Sequence, residues 1–345
     1  GSNIRVDTYG WEVKRVLPRV NEDINEEWIS DKTRYSCDGL KSQRLDHPLK
    51  KFGNEFKKIS WKEAFSELVE KVKTTPSEKI AGFVGDLTNM ETMYIAKEFF
   101  EKTLKSQSLE IRDNYTYVNL ENRSNYLFNC QINGVEEADF ILLAGTNPRL
   151  EATMLNARIR KNFLANNTSI YSIGDIGDQT YPYEILPAET KTIKEICENK
   201  SEISKKIILS KKPIIVIGNS ILNLKSGKFI FENLKKFLIE NNKVTESWNP
   251  LNVLQLNASS VGGLDLKLIC GEENITLKQL QENFFDIIFL IGQDNLKFKK
   301  KKEYVVYIGS HGDRGAEVSD LILPGAAYTE QDGHYTNLEG KIQKA

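Results

Sequence analysis

Short apolar runs recur along the chain, and nearly all of them end in glycine. Each run is rich in isoleucine and valine and is too short to form a core helix. Amphipathic segments of helical length lie between most of them, and a continuous apolar run is typical of a strand buried on both faces of a parallel sheet. The pattern predicts an α/β fold with doubly wound, mainly parallel sheets. The six runs are Ile80–Asp86, Asp139–Asn147, Ser169–Asp175, Pro213–Ser220, Asp286–Asp294 and Tyr304–Asp313.

The first part of the chain follows a different pattern. Two short apolar stretches flank a turn at Tyr9 and Gly10, which predicts a β-hairpin. Asp31 is suited to cap a short helix that stops at Gly39. We therefore expect residues 1–50 to form a small β-rich module that is separate from the large sheets.

Length and composition divide the rest of the chain in two. At roughly 150 residues per domain, a chain of 345 residues favours two domains with a small appendage. A segment rich in Lys and Ser, residues 199–212, is a suitable boundary. We expect a first α/β lobe at residues 51–205 and a second at residues 206–345.

One helix is marked by both its start and its periodicity. Ser60 is followed three residues later by Glu63, which is the pattern of a capping box. The apolar residues after Ser60 recur at helical spacing and fall on one helical face. They are Trp61, Ala64, Phe65, Leu68, Val69 and Val72.

Composition and charge exclude several classes of protein. The chain is 40% hydrophobic and 28% charged, as in ordinary globular proteins. Its formal net charge is −1, which argues against nucleic-acid binding because that needs a basic surface. No run of apolar residues is long enough to span a bilayer.

Four cysteines are spread far apart along the chain. No CxxC pair and no Cys/His pair at ligand spacing occurs, which argues against a zinc or iron–sulfur framework. We therefore expect each cysteine to be a small buried apolar residue. They are Cys37, Cys130, Cys197 and Cys270.

The strongest candidate for ligand binding follows the strand that ends at Ala144. Gly145 and Thr146 form a turn, Asn147 can cap the next helix, and Pro148 can occupy its first position. Free N–H groups at such a helix start favour an anion such as a diphosphate. The alternative is a plain strand-to-helix turn without a ligand, since a single glycine is weaker evidence than GxGxxG.

Two further polar residues lie in similar turns. Asp175 can bind a ribose or cap the following segment, and His311 can face a ligand or bond to backbone in its turn. No Ser/His/Asp triad motif, GxSxG, HExxH or GxxxxGK[ST] is present. We therefore expect no catalytic residue.

Three segments carry a resemblance to a known family: the opening 44 residues, Ala144–Lys161, and His311–Gln343. They resemble the large hydrophilic iron–sulfur subunit of NADH–quinone oxidoreductase, which is respiratory complex I. Within that large subunit the chain is similar to the C-terminal part, which is related to the molybdopterin oxidoreductases. The resemblance implies that the cluster-bearing, ferredoxin-like N-terminal portion is missing here.

The same resemblance implies that the ligands of two cofactors are lost. In relatives with an extra cluster in the small module, the last cysteine ligand stands where this chain has Ser30, and Cys37 is out of register. No signature of a molybdenum ligand occurs in Asp113–Cys130. The resemblance thus implies no metal and no pterin, with Gly145, Thr146 and Asn147 as a vestigial or alternative pocket.

The function implied by the resemblance is structural. The chain would be a scaffold that supports electron transfer from NADH to quinone without carrying a redox centre. Its partners would be the cluster-bearing N-terminal portion, the flavin/NADH-binding subunit and other subunits of the peripheral arm. That arm lies on the mitochondrial matrix side or the bacterial cytoplasmic side of the membrane, and we expect no membrane span and no nucleic acid.

Two other functions stay open, the first implied by the resemblance and the second based on the turn after the strand that ends at Ala144. The chain could be a molybdopterin-type oxidoreductase with bound pterin and an unusual metal ligand. It could also be a module that retains one nucleotide pocket near Gly145 to Asn147.

Overall fold

The computed structural model describes residues 2–269 and 274–345, so Cys270 lies outside the described residues. Its strands are β1 Ile4–Tyr9, β2 Glu12–Pro18, β3 Leu49–Phe52, β4 Glu55–Lys58, β5 Ile80–Val84, β6 Leu109–Glu110, β7 Phe140–Ala144, β8 Ser169–Ile173, β9 Glu184–Leu186, β10 Pro213–Gly218, β11 Leu251–Leu254, β12 Ile287–Ile291, β13 Tyr304–Gly309, β14 Leu321–Pro324, β15 His334–Thr336 and β16 Ile342–Lys344.

The α-helices are α1 Asp31–Tyr35, α2 Trp61–Thr74, α3 Met90–Glu98, α4 Pro148–Glu151, α5 Thr153–Asn166, α6 Thr190–Cys197, α7 Glu202–Leu209, α8 Asn219–Leu222, α9 Gly227–Glu240, α10 Ser260–Asp265, α11 Ile275–Gln281 and α12 Arg314–Val318. Helix α3 continues into a π-helical turn at Phe99–Leu104, and short 3₁₀ turns include Ser36–Lys41.

Two mainly parallel sheets form the body of the protein. One has five strands in the order β11-β10-β7-β8-β9, and the other has seven in the order β4-β3-β14-β13-β12-β5-β6. All six of the glycine-terminated runs lie in these sheets. The α/β fold class with doubly wound, mainly parallel sheets is therefore confirmed.

The sheets do not follow the division expected at residues 205 and 206. Strands of the five-stranded sheet lie on both sides of that point, and the whole sheet is inserted between β6 and β12 of the seven-stranded sheet. The seven-stranded sheet also takes in β3, which begins at Leu49, inside the segment assigned to the small module. Residues of one sheet are not contiguous in sequence, because β5 pairs with β12 although the whole five-stranded sheet lies between them in the chain.

The N-terminal module contains the expected hairpin. Strands β1 and β2 pair antiparallel, and Gly10 has φ +59° in the turn that joins them. The cap of α1 is Ser30 and not Asp31 as expected, because the Ser30 hydroxyl accepts a hydrogen bond from the Thr33 amide at 3.3 Å. The hairpin, Ile29 and the 3₁₀ turn Ser36–Lys41 form a core of their own in which Cys37 is buried.

Helix α2 begins at the expected capping box, but only part of its apolar face is buried. The Ser60 hydroxyl accepts from the Glu63 amide, and the Glu63 carboxylate accepts from the Ser60 amide. Ala64 is buried against the seven-stranded sheet, and Leu68 and Val72 pack beside it. The other three apolar residues of that face are exposed: Trp61, Phe65 and Val69.

Candidate functional site

Each parallel sheet has one point where the strand order reverses. In the five-stranded sheet the chain runs outward from β7 through β8 to β9, and later outward from β10 to β11 on the other side. In the seven-stranded sheet it runs from β5 to β6 and later from β12 through β13 to β14. Ligands of open α/β sheets bind at such switch points, beyond the carboxyl ends of the strands. The candidate sites therefore lie between β7 and β10 and between β5 and β12.

The first switch point is closed by contact between its two turns. Gly145, which has φ +66° and follows β7, belongs to the turn for which the sequence leaves open a vestigial pocket or a plain strand-to-helix turn. A Cβ atom on Gly218 would lie 2.2 Å from the Gly145 carbonyl oxygen, and one on Gly145 would lie 2.5 Å from Ile221 Cγ1. These glycines bring one turn against the other, and their small size does not leave a gap for a ligand.

The side chains of this turn form hydrogen bonds within the protein. The Thr146 hydroxyl donates to the Glu151 carboxylate at 2.5 Å, and the Asn147 amide donates to the same carboxylate oxygen at 3.1 Å. The Asn147 side chain caps α4 by accepting from the Leu150 amide, and it donates to the Ile176 carbonyl at 2.8 Å. Glu151 thus supplies the negative charge that an anionic ligand would otherwise bring. The Gly145–Asn147 turn predicted from sequence exists, and its Asn147 side chain caps the helix that follows.

The second switch point is closed in a similar way. A Cβ atom on Gly85 would lie 1.7 Å from the carbonyl oxygen of Gly292, so the turns after β5 and β12 are in backbone contact. The Gly85 amide donates to the Ile291 carbonyl at 2.9 Å. The buried side chain of Gln293 donates to the Val84 carbonyl at 3.0 Å, across the point where the two strands separate.

Carboxylates gather beside this second switch point. Burial raises the pKa of Asp86, and the nearby charges of Asp113 and Asp294 raise it further. Burial also raises the pKa of Asp294, with a contribution from the charge of Asp313. The Asp86 carboxylate accepts hydrogen bonds from Asn257 at 2.6 Å and from Asn295 at 2.5 Å. A diphosphate would meet carboxylates of its own charge here, and in a partly buried crevice that repulsion is strong.

The N-terminal module has no set of cluster ligands among its described residues. Ser30 Oγ accepts from the helix amide of Thr33 and lies 3.2 Å from the Thr33 hydroxyl. Cys37 is 6% exposed and packs against Val16 and Ile29, with its thiol 3.9 Å from the Arg34 carbonyl. Across residues 2–269 and 274–345, no group of three His, Cys, Asp or Glu side chains is placed to hold a metal ion.

Protein groups hold the loop between the hairpin and Ser30. Asn25 is 2% exposed, and its side-chain amide donates to the carbonyls of Arg19, Glu26 and Trp28. Arg158 reaches in from α5. Its guanidinium is 3% exposed and donates to the Ile24 and Glu22 carbonyls and to the Glu136 carboxylate.

The remaining candidates have structural partners. Asp175 accepts from the Gly177 amide at 2.8 Å and from the Tyr183 hydroxyl at 2.9 Å, so it caps its own turn. His311 Nε2 lies 3.2 Å from the Gly39 carbonyl oxygen, which ties the turn after β13 to the N-terminal module. Burial raises the pKa of the Cys130 thiol, and it raises that of Cys197 to about 12, so neither is a reactive thiolate at neutral pH.

The sequence alone did not reveal the residues that fill the two switch points or the residue that holds the loop after the hairpin. Gly218 and Gly85 were visible as strand-end glycines, but the sequence does not indicate which backbone each one touches. Glu151 follows the predicted cap by four residues, and this spacing was the only signal for it. Arg158 gave no signal, because its partners in the loop after the hairpin lie more than 130 positions away.

Comparison with known families identifies the larger part of the chain. Residues 44–345 match the model of the molybdopterin oxidoreductase family. The chain belongs to that family. Residues 1–38 match a second model, described as "NADH-ubiquinone oxidoreductase NDSU1/NuoG-like, 4Fe-4S domain". The change of family between residues 38 and 44 lies close to the end expected for the small module.

Named relatives confirm the resemblance to the large iron–sulfur subunit. A protein of Reclinomonas americana named NADH-ubiquinone oxidoreductase 75 kDa subunit is 41% identical over 99% of this chain and 52% of its own length. An NADH-quinone oxidoreductase subunit of Rickettsia bellii is 40% identical over 100% of this chain and 50% of its own length. The chain thus spans about half the length of the curated relatives it matches.

Solved structures support the fold alone. A chain of the formyltransferase/hydrolase complex from Methylorubrum extorquens has a TM-score of 0.64 with 12% sequence identity. The match covers 86% of this chain and 92% of that one. Acetylene hydratase from Pelobacter acetylenicus has a TM-score of 0.56 with 10% identity, over 98% and 63% of the two chains.

The two family descriptions name a 4Fe–4S cluster and molybdopterin, and the residues of this chain fit neither group. A 4Fe–4S cluster is held by four thiolates, whereas residues 1–38 contain one cysteine, which is buried in an apolar core. A pterin dinucleotide needs open switch points with free donors for its phosphates. Here both switch points are closed by backbone contact, and carboxylates flank them.

Proposed function

We propose that this chain is a scaffold portion of the iron–sulfur subunit of NADH–quinone oxidoreductase, respiratory complex I, and carries no redox centre itself. The observation that carries the proposal is the closure of both switch points by the protein's own groups. A fold that elsewhere surrounds a cofactor is here filled with backbone contacts and internal hydrogen bonds. Such a body is suited to hold neighbouring parts at fixed distances and to exclude water.

The names of the relatives support this assignment. Besides the two proteins described above, one from Solanum tuberosum is named NADH dehydrogenase [ubiquinone] iron-sulfur protein 1, mitochondrial. It is 39% identical over 99% of this chain and 46% of its own length. We propose that the electron-carrying clusters belong to the half of these relatives that this chain does not match. The activity would then be a property of the whole assembly.

The proposal includes partners and a place in the cell. We propose that the chain packs against the cluster-bearing portion of the same large subunit, the flavin/NADH-binding subunit and other subunits of the peripheral arm. That arm would lie on the matrix side of the mitochondrial inner membrane or on the cytoplasmic side of a bacterial membrane. In the described part of the chain, no helix has the length and apolar character needed to cross a bilayer.

A second candidate function is favoured by the family match. A molybdopterin oxidoreductase would bind pterin and molybdenum or tungsten between the two sheets. Elemental analysis of the purified protein separates the two candidates, since only the enzyme requires a stoichiometric metal. The closed switch points argue for the scaffold.

Co-migration with an NADH-oxidising assembly tests the scaffold proposal. An affinity-tagged chain is expressed in its own cells, and membranes solubilised in mild detergent are separated on a native gel. The gel is stained for NADH oxidation and probed for the tag. The proposal predicts that the tag and the activity occupy the same high-mass band. Migration of all tagged protein as a free chain would contradict it.

A further inference from the structure

Helix α2 has an apolar stripe that the rest of the described chain leaves uncovered. Trp61, Phe65 and Val69 are 44%, 51% and 49% exposed. They lie at positions i, i+4 and i+8 of one helix and therefore form a continuous stripe. The rings of Trp61 and Phe65 stack at 5.4 Å. The stripe runs beside Ala64, Leu68 and Val72, which face the sheet.

Single exposed apolar residues are common on protein surfaces, but a contiguous stripe of aromatic and branched side chains marks an interaction site. The apolar face of α2 is wider than the part that the seven-stranded sheet covers. In a surface helix the apolar face normally matches the surface it packs against. The uncovered part consists of three of the six residues that the helical periodicity places on one face.

Charge on the two sides of the helix differs. On the side towards the sheet edge, Glu67 pairs with Lys50 at 2.7 Å and accepts from the Tyr304 hydroxyl at 2.9 Å. On the solvent side the stripe is bordered by Lys62 and Lys73, which lie next to it in helical position. Neither of these lysines pairs with a carboxylate of the described chain within 4.0 Å, although Glu70 is nearby in sequence. The uncovered stripe is thus bordered by two lysines that have no ion-pair partner in the described chain.

We propose that this face of α2, defined by Trp61, Phe65, Val69, Lys62 and Lys73, binds an amphipathic protein segment. The segment has apolar side chains bordered by Asp or Glu and belongs to another chain of the assembly. The proposal rests on the proposed function, because it names the surface through which the scaffold meets a partner. The partner segment needs acidic residues at its border because these complement the charges of Lys62 and Lys73. The row of three apolar side chains fits a partner helix packed alongside α2.

A lipid surface suits the same residues less well. Helices that lie on membranes insert a wide apolar face into the interface. Half of the apolar face of α2 is already packed against the sheet through Ala64 and its neighbours. Three side chains are enough for a protein contact of hot-spot type, in which a few aromatic anchors supply most of the binding energy.

Photo-crosslinking within the native assembly tests the partner directly. The photoreactive amino acid p-benzoylphenylalanine replaces Phe65, or, as a matched control, Phe229, which is 46% exposed on α9. After irradiation, mass spectrometry identifies the crosslinked peptides. The expected result is one peptide of another subunit, apolar with flanking Asp or Glu, from position 65 and not from 229. A lipid adduct, a basic peptide or no crosslink from position 65 would overturn the proposal.

Variants give a second readout that does not depend on the crosslinker. Phe65→Asp, and separately Lys62→Glu with Lys73→Glu, should each lower retention of the tagged chain in the assembly about tenfold or more at roughly 0.2 M salt. Phe229→Asp and Lys225→Glu should leave retention unchanged. Circular dichroism and the melting temperature of each purified variant confirm that it folds.

The outcomes separate this proposal from the proposed function. A wild-type chain that does not co-migrate with the assembly contradicts the proposed function, and the α2 proposal falls with it. Co-migration of the wild type together with undiminished retention of both folded α2 variants contradicts the α2 proposal alone.

Discussion

The two switch points occupy the same topological position in two sheets and both are closed by backbone contact, yet their charged groups differ. Between β7 and β10, a Cβ atom on Gly218 would lie 2.2 Å from the Gly145 carbonyl oxygen, and the Glu151 carboxylate accepts from the Thr146 hydroxyl and the Asn147 amide. Between β5 and β12, the turns touch at Gly85 and Gly292, and carboxylates crowd beside them. At the first switch point, the Glu151 carboxylate accepts the hydrogen bonds that an anionic ligand would accept. At the second, repulsion between the carboxylates near Asp86 destabilises the folded state.

The sheets keep their parallel order although the protein's own groups fill both switch points. Burial of both faces of each sheet supplies most of the stability, since apolar surface contributes about 25 cal/mol per Å². The switch points then only need their backbone groups satisfied and their volume filled. At both points the turns are in backbone contact, and a side-chain hydrogen bond adds to it, from Thr146 at the first and from Gln293 at the second.

The largest expected effect comes from adding a methyl group where the turns meet. Gly85→Ala and Gly218→Ala place Cβ at 1.7 Å and 2.2 Å from carbonyl oxygens of the opposing turns. Backbone must shift, and we expect each to lower the free energy of unfolding by about 3 kcal/mol. Urea unfolding followed by circular dichroism measures the change.

A third glycine serves as the control for these two. A Cβ atom on Gly39 would meet no atom within 4 Å, so Gly39→Ala should change stability by less than about 0.5 kcal/mol. If Gly85→Ala and Gly218→Ala were equally harmless, the turns would not be in contact and the sites would be open.

The carboxylates of the second switch point predict a pH dependence that the first does not share. The pKa of Asp86 is raised in the folded state, chiefly by burial. The protonated carboxyl therefore stabilises the fold fully at a pH below its unfolded pKa of 3.8, and this stabilisation is lost as the pH rises through the folded pKa. Asp86→Asn removes this loss. The unfolding free energy of the variant, relative to wild type, should therefore increase between about pH 4 and pH 7.

Glu330→Gln provides a control of opposite sign. A hydrogen bond from Arg44 lowers the pKa of Glu330, so its stabilisation is present at neutral pH and is lost as pH falls through the folded pKa. The free energy of unfolding of Glu330→Gln, relative to wild type, should therefore decrease as the pH rises over the same range. Equal slopes for the two variants would mean that Asp86 is not held in a crowded site.

A moderate effect is expected from removing the internal anion of the first switch point. Glu151→Ala leaves the Thr146 hydroxyl and the Asn147 amide without their acceptor, at a cost of about 1 kcal/mol. Glu151→Gln keeps a carbonyl acceptor and should cost less. Thermal unfolding at matched protein concentration measures both, and a Glu151→Ala variant as stable as wild type would show that this carboxylate does not organise the turn.

The smallest expected effect concerns nucleotides. A ligand that binds the folded state raises the melting temperature in proportion to the logarithm of its concentration. Guanine nucleotides should leave the melting temperature unchanged, because the turns at both switch points are in backbone contact and carboxylates flank them. Stabilisation by GDP that Gly145→Ala abolishes would restore the hypothesis of a nucleotide pocket at Gly145, Thr146 and Asn147.

The strands could be predicted from the sequence because burial on both faces leaves a uniform apolar signature. All six runs, from Ile80–Asp86 to Tyr304–Asp313, contain a strand. The nesting of one sheet inside the other could not be predicted, because it depends on β5 pairing with β12 after a long insertion. A run of apolar residues carries no information about which distant run lies beside it.

The candidate sites show the same limit at the scale of single residues. The sequence located the turn at Gly145 and the cap at Asn147, since these depend on local backbone geometry. It did not reveal Glu151 as the acceptor, or the burial of only half of the apolar face of α2. Periodicity gives the width of an apolar face, but the neighbouring elements decide how much of it is covered.

We infer that this chain keeps the fold of a cofactor-binding family without a place for the cofactor. Elemental analysis of the chain, purified without oxygen and without chelators, is the sharpest test of this inference. We expect molybdenum, tungsten and iron far below one atom per chain. Stoichiometric molybdenum or tungsten, or iron with the electron paramagnetic resonance signal of a cluster, would contradict it.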